Sequence, residues 1–191
     1  MIDLLSLQKQ FILAHLRPGD TAADFTMGNG HDTEFLSKAV GPEGKVYAFD
    51  VQESAIRSTK ERLSASCPDN YTLILGSHHL AREYIREPIK AGMFNLGWLP
   101  GGDRSVTTQR STTIPAVRDA ISLLDSDAIL TVAVYPGHPE GFEEGREIES
   151  FLSGLSRFRV CATCIKIINS PTSPFFFLIE SKDRLFGGRF I

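Results

Sequence analysis

The sequence predicts a doubly wound α/β fold: seven strands in one mostly parallel sheet, helices on both faces, and a last strand inserted antiparallel. Three observations predict it. Short apolar runs rich in β-branched and aromatic residues alternate with stretches of helical periodicity, as in successive βα units. A turn holding Gly28 and Gly30 joins the first apolar run to a helical stretch. The chain closes on two strand-like segments either side of Asn169-Ser170-Pro171-Thr172-Ser173, which reads as a hairpin.

Taken in order, Leu4, Leu5, Leu7, Phe11, Ile12 and Leu16 recur at helical spacing, and Arg17-Pro18-Gly19-Asp20 stops that helix. Thr21 to Phe25 is a short strand, and His31 to Leu36 opens a helix. Gly41-Pro42-Glu43-Gly44 then turns into a second strand, Lys45 to Asp50, that ends in a carboxylate. Glu53 to Ala65 is helical, with Ala55, Ile56 and Leu63 inward, and Tyr71 to Leu75 is a third strand. A fourth strand lies near Met93 to Leu96. Thr112 to Leu124 is helical, with Pro115 tolerated in its first turn, and Ala128 to Tyr135 is a fifth strand. Phe142 to Leu155 reads as an amphipathic helix, Ile148, Phe151 and Leu152 forming its apolar side and Glu143, Glu144, Glu147 and Glu149 its charges. Phe158 to Ile168 and Pro174 to Glu180 close the sheet. No repeat, low-complexity tract or linker interrupts this order, so residues 1–191 are expected to form a single domain.

With 20 Lys and Arg against 23 Asp and Glu, the net charge is −3, and the pI is about 6.0. No global basic field points to a polyanionic partner, although a local patch is compatible with one. No stretch approaches the ~20 apolar residues of a membrane span. Met1-Ile2-Asp3-Leu4-Leu5 lacks the basic start of a signal peptide, so the expected location is cytoplasmic. Cys161 and Cys164 share the Cys-x-x-Cys spacing, but in a strand they face opposite sides and no second ligand pair accompanies them. Together with Cys67 they are expected to be buried free thiols, and no metal site is expected.

Asp24-Phe25-Thr26-Met27-Gly28-Asn29-Gly30 is the most informative segment. Glycines in a strand-to-helix turn let the backbone approach a ligand, and Asp50, at the end of the second strand, can accept hydrogen bonds from both hydroxyls of a ribose. A plain structural turn would need the glycines too; the register with Asp50 favours a nucleoside site. Thr26 stands where a dinucleotide fingerprint wants glycine, and Thr33 replaces its third glycine, so a cofactor without a pyrophosphate fits better. Asp-x-Thr-x-Gly-x-Gly with a later acidic strand end resembles motifs I and II of the class I methyltransferases, which bind S-adenosylmethionine. The cofactor-binding candidates are Asp24, Thr26, Gly28, Asn29, Gly30, Asp50, Gln52, Ser77 and His78, the last two for the adenine, with loop capping as their alternative role. His79 is expected to be exposed.

Ligands in open α/β sheets collect beyond the carboxyl ends of the strands, so the fourth and fifth strand ends supply the acceptor candidates. Methyl transfer needs alignment and exclusion of water, and an amine acceptor needs hydrogen-bond acceptors for its N–H groups. Asn95 and the Leu96 and Gly97 carbonyls suit that task, and Asp103 could hold or deprotonate an ammonium group. Trp98 either stacks on a base or is a core aromatic, while Tyr135 and His138 flank the same cleft and His138 has a loop role as its alternative.

Asp24 to Asp32, Tyr47 to Gln52, Gly76-Ser77-His78, Phe94 to Asp103 and Tyr135 to Gly141 resemble the small methyltransferases that convert wobble 5-aminomethyl-2-thiouridine of tRNA to its methylaminomethyl form (MnmM type). Asn-Leu-Gly-aromatic-Leu-Pro-Gly-Gly-Asp is the specific signature; Trp98 stands where tyrosine is expected and Phe25 where alanine is expected. The resemblance implies a Rossmann-like class I methyltransferase that uses S-adenosylmethionine on an exocyclic amine in a tRNA anticodon loop, as a homodimer. Arg104, Arg110, Arg118, Lys182, Arg184 and Arg189 are candidates for a local basic rim, or simply a solvated face. An rRNA base N-methyltransferase and a small-molecule methyltransferase are the alternatives within the enzyme class; a dehydrogenase and a non-catalytic cofactor sensor lie outside it.

Overall fold

The computed structural model describes residues 3–99, 101, 107–183 and 185. Helix α1 (Leu4–His15) precedes strand β1 (Thr21–Asp24), α2 (His31–Val40), β2 (Lys45–Asp50), α3 (Glu53–Ser64) and β3 (Tyr71–Leu75). A single 3-10 turn (His78–Leu80) leads into the short α4 (Ala81–Tyr84), β4 (Ile89–Asn95), α5 (Arg110–Ser122), β5 (Leu124–Val134) and α6 (Pro139–Ser153). Strands β6 (Val160–Ile165) and β7 (Phe175–Ser181) follow.

All seven strands form one sheet in the order β3-β2-β1-β4-β5-β7-β6. The first five run parallel, and β7 inserts antiparallel between β5 and β6, as the sequence predicts. Strand order reverses between β1 and β4, which opens a crevice beyond their carboxyl ends. Register brings those ends level: Asp24 pairs with Ala48 on one side and Met93 on the other, and Asp50 pairs with Leu75.

Ile12 and Leu16 of the α1 region and Leu36 and Val40 of α2 bury one face of the sheet with Val46, Met93, Ile129 and Phe176. Ala81, Ile85, Val117, Ile121, Ile148 and Leu152 bury the other with Phe25, Phe49, Phe94 and Val132. Central strands covered on both sides should be nearly continuous in apolar residues, and Ala128 to Val134 are all buried.

Several boundaries differ from expectation. β5 starts at Leu124, so the residues around Leu123 that looked like the end of a helix form its cap and the start of a strand. α6 starts at Pro139 because His138 caps it, the ring Nδ1 accepting the Gly141 N–H at 3.2 Å. Glu144 is fully buried rather than part of the charged face. Its position explains this, for Glu144, Ile148 and Leu152 stand four apart on one stripe. Cys161 and Cys164 are exposed and Cys67 is partly exposed, which corrects the expectation of buried thiols: β6 is the outer strand of the sheet, and most of it is exposed.

Candidate active site

A cavity of 560 Å³ lies past the carboxyl ends of β1, β2, β3 and β4, within the size range of small-molecule sites. On its β1–β2 side, Gly28 adopts φ 53° and its N–H donates to Asp50 Oδ2 at 2.9 Å. The other Asp50 oxygen accepts the Gln52 N–H at 2.9 Å. The carboxylate thus clamps the glycine turn to the second strand, while each oxygen keeps a lone pair for a ligand hydroxyl. Burial raises its pKa above the usual carboxylate value. Behind the turn, Ser58 donates to Asn29 Oδ1 at 3.1 Å, Thr59 to the Gly28 carbonyl at 3.1 Å and Arg62 to the Asn29 carbonyl at 2.8 Å. Thr26, Gly28, Asn29, Asp50, Gln52, Ser77 and His78 all line the cavity.

Two candidates for direct cofactor contact do not line it. Asp24 is 1% exposed; its oxygens accept the Thr26 N–H at 3.1 Å and the Thr33 hydroxyl at 2.7 Å, so it braces the turn from below. Burial, and then the charge of Asp32, raises its pKa. Gly30 caps α2 at φ 78°, and a Cβ there would sit 2.7 Å from Thr59 Oγ1, so this glycine serves helix packing.

His78 is buried, and burial drives its pKa down to about 4, which leaves the ring neutral at pH 7. Its Nδ1 lies 3.2 Å from the Phe25 carbonyl, an acceptor, so the proton belongs on Nδ1 and Nε2 carries a free lone pair. Nε2 has no partner among the described residues. A buried acceptor in a pocket suits a ligand amine such as that of adenine. The glycine turn, the Asp50 clamp and this acceptor together fit the adenosine part of S-adenosylmethionine. His79 is exposed, as expected.

The opposite wall comes from β4 and the segments around it. Asn95 N–H donates to Thr26 Oγ1 at 2.6 Å, so the threonine that displaces the dinucleotide glycine ties the two halves together. The Asn95 side-chain amide donates to Asp32 Oδ2, and Asp32 Oδ1 lies 2.8 Å from Lys9 Nζ. Asn95 Oδ1 is buried without a partner among the described residues. Gly97, at φ 132°, is stapled to Thr108: its N–H donates to Thr108 Oγ1 at 2.9 Å, and its carbonyl accepts the Thr108 N–H at 3.0 Å. Thr108 Oγ1 donates in turn to Glu144 Oε2 at 3.0 Å, and Thr113 donates to Oε1 at 2.6 Å. The buried Glu144, its pKa raised by burial, therefore anchors this wall from α6.

Trp98 lines the cavity, is 37% exposed, and lies 4.9 Å from the His138 ring, which settles its alternative: it is a rim aromatic and not a core one. His138 itself does not line the cavity but caps α6 and backs Trp98. Tyr135 lines it, and burial followed by the Asp32 charge raises its pKa. Asp103 lies outside the described residues, as do Arg104, Arg184 and Arg189. Of the other basic candidates, Arg110 is held by Glu140 at 3.2 Å and Glu147 at 3.0 Å, and Arg118 lies over the Phe151 ring. Gln8, Lys9, Asp32, Thr108 and Thr112 were not singled out from the sequence, yet all line the cavity. Asp32 had a signal, being the acidic residue just after the glycine turn; Lys9 had none, because nothing local says that α1 packs across β4 and β5.

The rRNA methylase family model matches residues 46–180. The chain is 35% identical over 173 residues to the chloroplastic tRNA (mnm(5)s(2)U34)-methyltransferase of Arabidopsis thaliana, covering 83% of this chain and 62% of that protein, so it spans less than two thirds of this relative. Among solved structures, a proposed rRNA methylase from Clostridium thermocellum is 38% identical with a TM-score of 0.92, over 95% of this chain and 98% of that one. A proposed methyltransferase from Streptococcus mutans, in complex with SAH, is 35% identical with a TM-score of 0.86, over 95% and 99% of the two chains.

Proposed function

The chain belongs to the rRNA methylase family and has its class I methyltransferase fold, and on that premise we propose that it N-methylates the aminomethyl group of wobble 5-aminomethyl-2-thiouridine in a tRNA anticodon loop. The observation that carries this reading is one cavity joining an adenosine cradle to a wall that ends in the unpartnered Asn95 Oδ1.

When bound, S-adenosylmethionine supplies an activated methyl group; Asp50 would hold its ribose, and Gly28 and His78 its adenosine part. Asn95 lines the cavity, and its unpartnered Oδ1 is proposed to accept an N–H of the incoming amine. Trp98 at the rim offers a face on which the uracil or a neighbouring base stacks. Asn95, tied through its N–H to Thr26, would keep this wall close to the donor side, which favours alignment of acceptor and methyl group. Asp103 is proposed to take up the ammonium charge. The active form is proposed to be a homodimer, which light scattering of the purified chain tests. Among the described residues no helix is long and apolar enough to cross a membrane.

The test is nucleoside analysis of tRNA incubated with the chain and S-adenosylmethionine. Loss of the aminomethyl nucleoside with gain of the methylaminomethyl form supports the reading. Unchanged tRNA, with methyl transfer to rRNA in a parallel incubation, would overturn it in favour of a ribosomal base. S-adenosylmethionine should also raise the melting temperature whereas NAD should not, because only a native-state ligand stabilises the fold.

A further inference from the structure

An asparagine amide presents either a carbonyl oxygen or an NH2 group, and which end faces a ligand decides what the site can hold. At Asn95 one end is fixed by a contact. Its NH2 donates to Asp32 Oδ2, a carboxylate oxygen that accepts only, so the amide cannot flip without setting two acceptors against each other. The second Asp32 oxygen is engaged by Lys9 Nζ at 2.8 Å, and Lys9 itself lies 5.1 Å from the Phe35 ring centre, which steadies its stem. The Asn95 backbone is held separately, by Thr26 Oγ1 at 2.6 Å. What remains is Oδ1, buried and without a partner among the described residues.

We infer that Lys9 and Asp32 are positioning residues that lock the Asn95 amide with its carbonyl oxygen toward the acceptor, so that the site selects an acceptor carrying an N–H. The inference rests on the amine-methylation reading above. Three separate elements, α1, α2 and β4, converge on this arrangement, and Asp32 and Lys9 have only 16% and 33% of their side chains exposed, so the chain of contacts lies mostly out of water, where an orienting hydrogen bond is worth most. An acceptor that offers no hydrogen to Oδ1 would leave it unsatisfied, which is how a polar site rejects an analogue.

The experiment is a double-mutant cycle read by steady-state kinetics on the aminomethyl-uridine tRNA, with donor affinity measured by calorimetry. Asp32→Asn offers either polarity to Asn95 and is expected to lower kcat by roughly 10- to 100-fold while leaving the dissociation constant for S-adenosylmethionine within about threefold. Asp32→Ala, which removes the acceptor altogether, should do the same. Lys9→Met should lower kcat less, by roughly three- to tenfold. In an Asn95→Ala background, Asp32→Asn should cost no more than about a further twofold, because a residue acting through Asn95 has nothing left to position. Multiplicative losses in the cycle, an unchanged kcat in both Asp32 variants, or a defect cured by saturating donor would each overturn the inference. A wild-type chain that transfers no methyl group to this tRNA while binding the donor would instead overturn the proposed substrate, and the relay with it.

Discussion

Around Asp50 the chain bonds mostly to itself: a backbone N–H engages each of its oxygens, and Ser58, Thr59 and Arg62 hold the glycine turn from behind. Along Asn95 and Thr107 the pattern is different, for Asn95 Oδ1 and Thr107 Oγ1 are buried without partners among the described residues. Each such group forgoes roughly 1–3 kcal/mol of solvation. The donor side resembles a finished cradle, whose preorganisation reduces the ordering cost of binding. The acceptor side holds polar capacity in reserve, as a surface does when its last partner is a substrate. His78 Nε2, also buried and without a partner among the described residues, is the donor-side exception.

Variants on the two sides should therefore fail in different ways. The largest effect is expected from Asn95→Ala: kcat falls by roughly 100- to 1000-fold, as when one preorganised polar contact to a reacting group is lost, with donor affinity nearly unchanged. Equal loss of donor affinity, measured by calorimetry, would erase the distinction between the two walls. Asp50→Ala should show the converse, weakening donor binding by roughly 10- to 100-fold while kcat at saturating donor changes little. A smaller effect is expected at Gly30, where an added methyl meets Thr59 in a left-handed backbone conformation: Gly30→Ala should lower stability by about 1–2 kcal/mol in denaturant titration. If the cradle is preorganised as described, that variant should also bind the donor less tightly.

An effect of similar size concerns pH. His78 titrates at about 4 in the folded chain against 6.5 when unfolded, so between these values the unfolded chain binds the extra proton. The stability it contributes is complete above pH 6.5 and is lost as pH falls toward 4. Wild type should accordingly lose roughly 1–3 kcal/mol more than His78→Gln across that interval in urea titrations at several pH values. Parallel curves for the two proteins would mean that His78 is not held neutral by burial, and would remove the acceptor proposed for adenine.

The donor side was legible in the sequence because its chemistry is local. The glycines, Asp50 and the intervening helix sit within about thirty residues of chain, and a strand-turn-helix-strand unit places them without reference to anything else. Even so, the sequence alone does not separate Asp24 and Gly30, which belong to the turn without lining the cavity, from the residues that do line it. Glu144 was misread for a different reason. A glutamate among glutamates looks solvated, and its place on the Ile148 and Leu152 stripe matters only once Thr108 and Thr113 are seen to bond it.

What the sequence determined alone is the order of strands and helices along the chain and the phosphate-free nature of the turn through Thr26. These depend on periodicity and on residues close in the chain. What only the tertiary structure decided is which polar atoms meet: Thr26 with Asn95, Lys9 with Asp32 and Asp32 with Asn95, pairs separated by 69, 23 and 63 positions. Hydrogen bonds reach about 3 Å and carry no signature along the chain, so their pairing waits for the sheet to bring β1 beside β4 and for α1 to cross the strand ends.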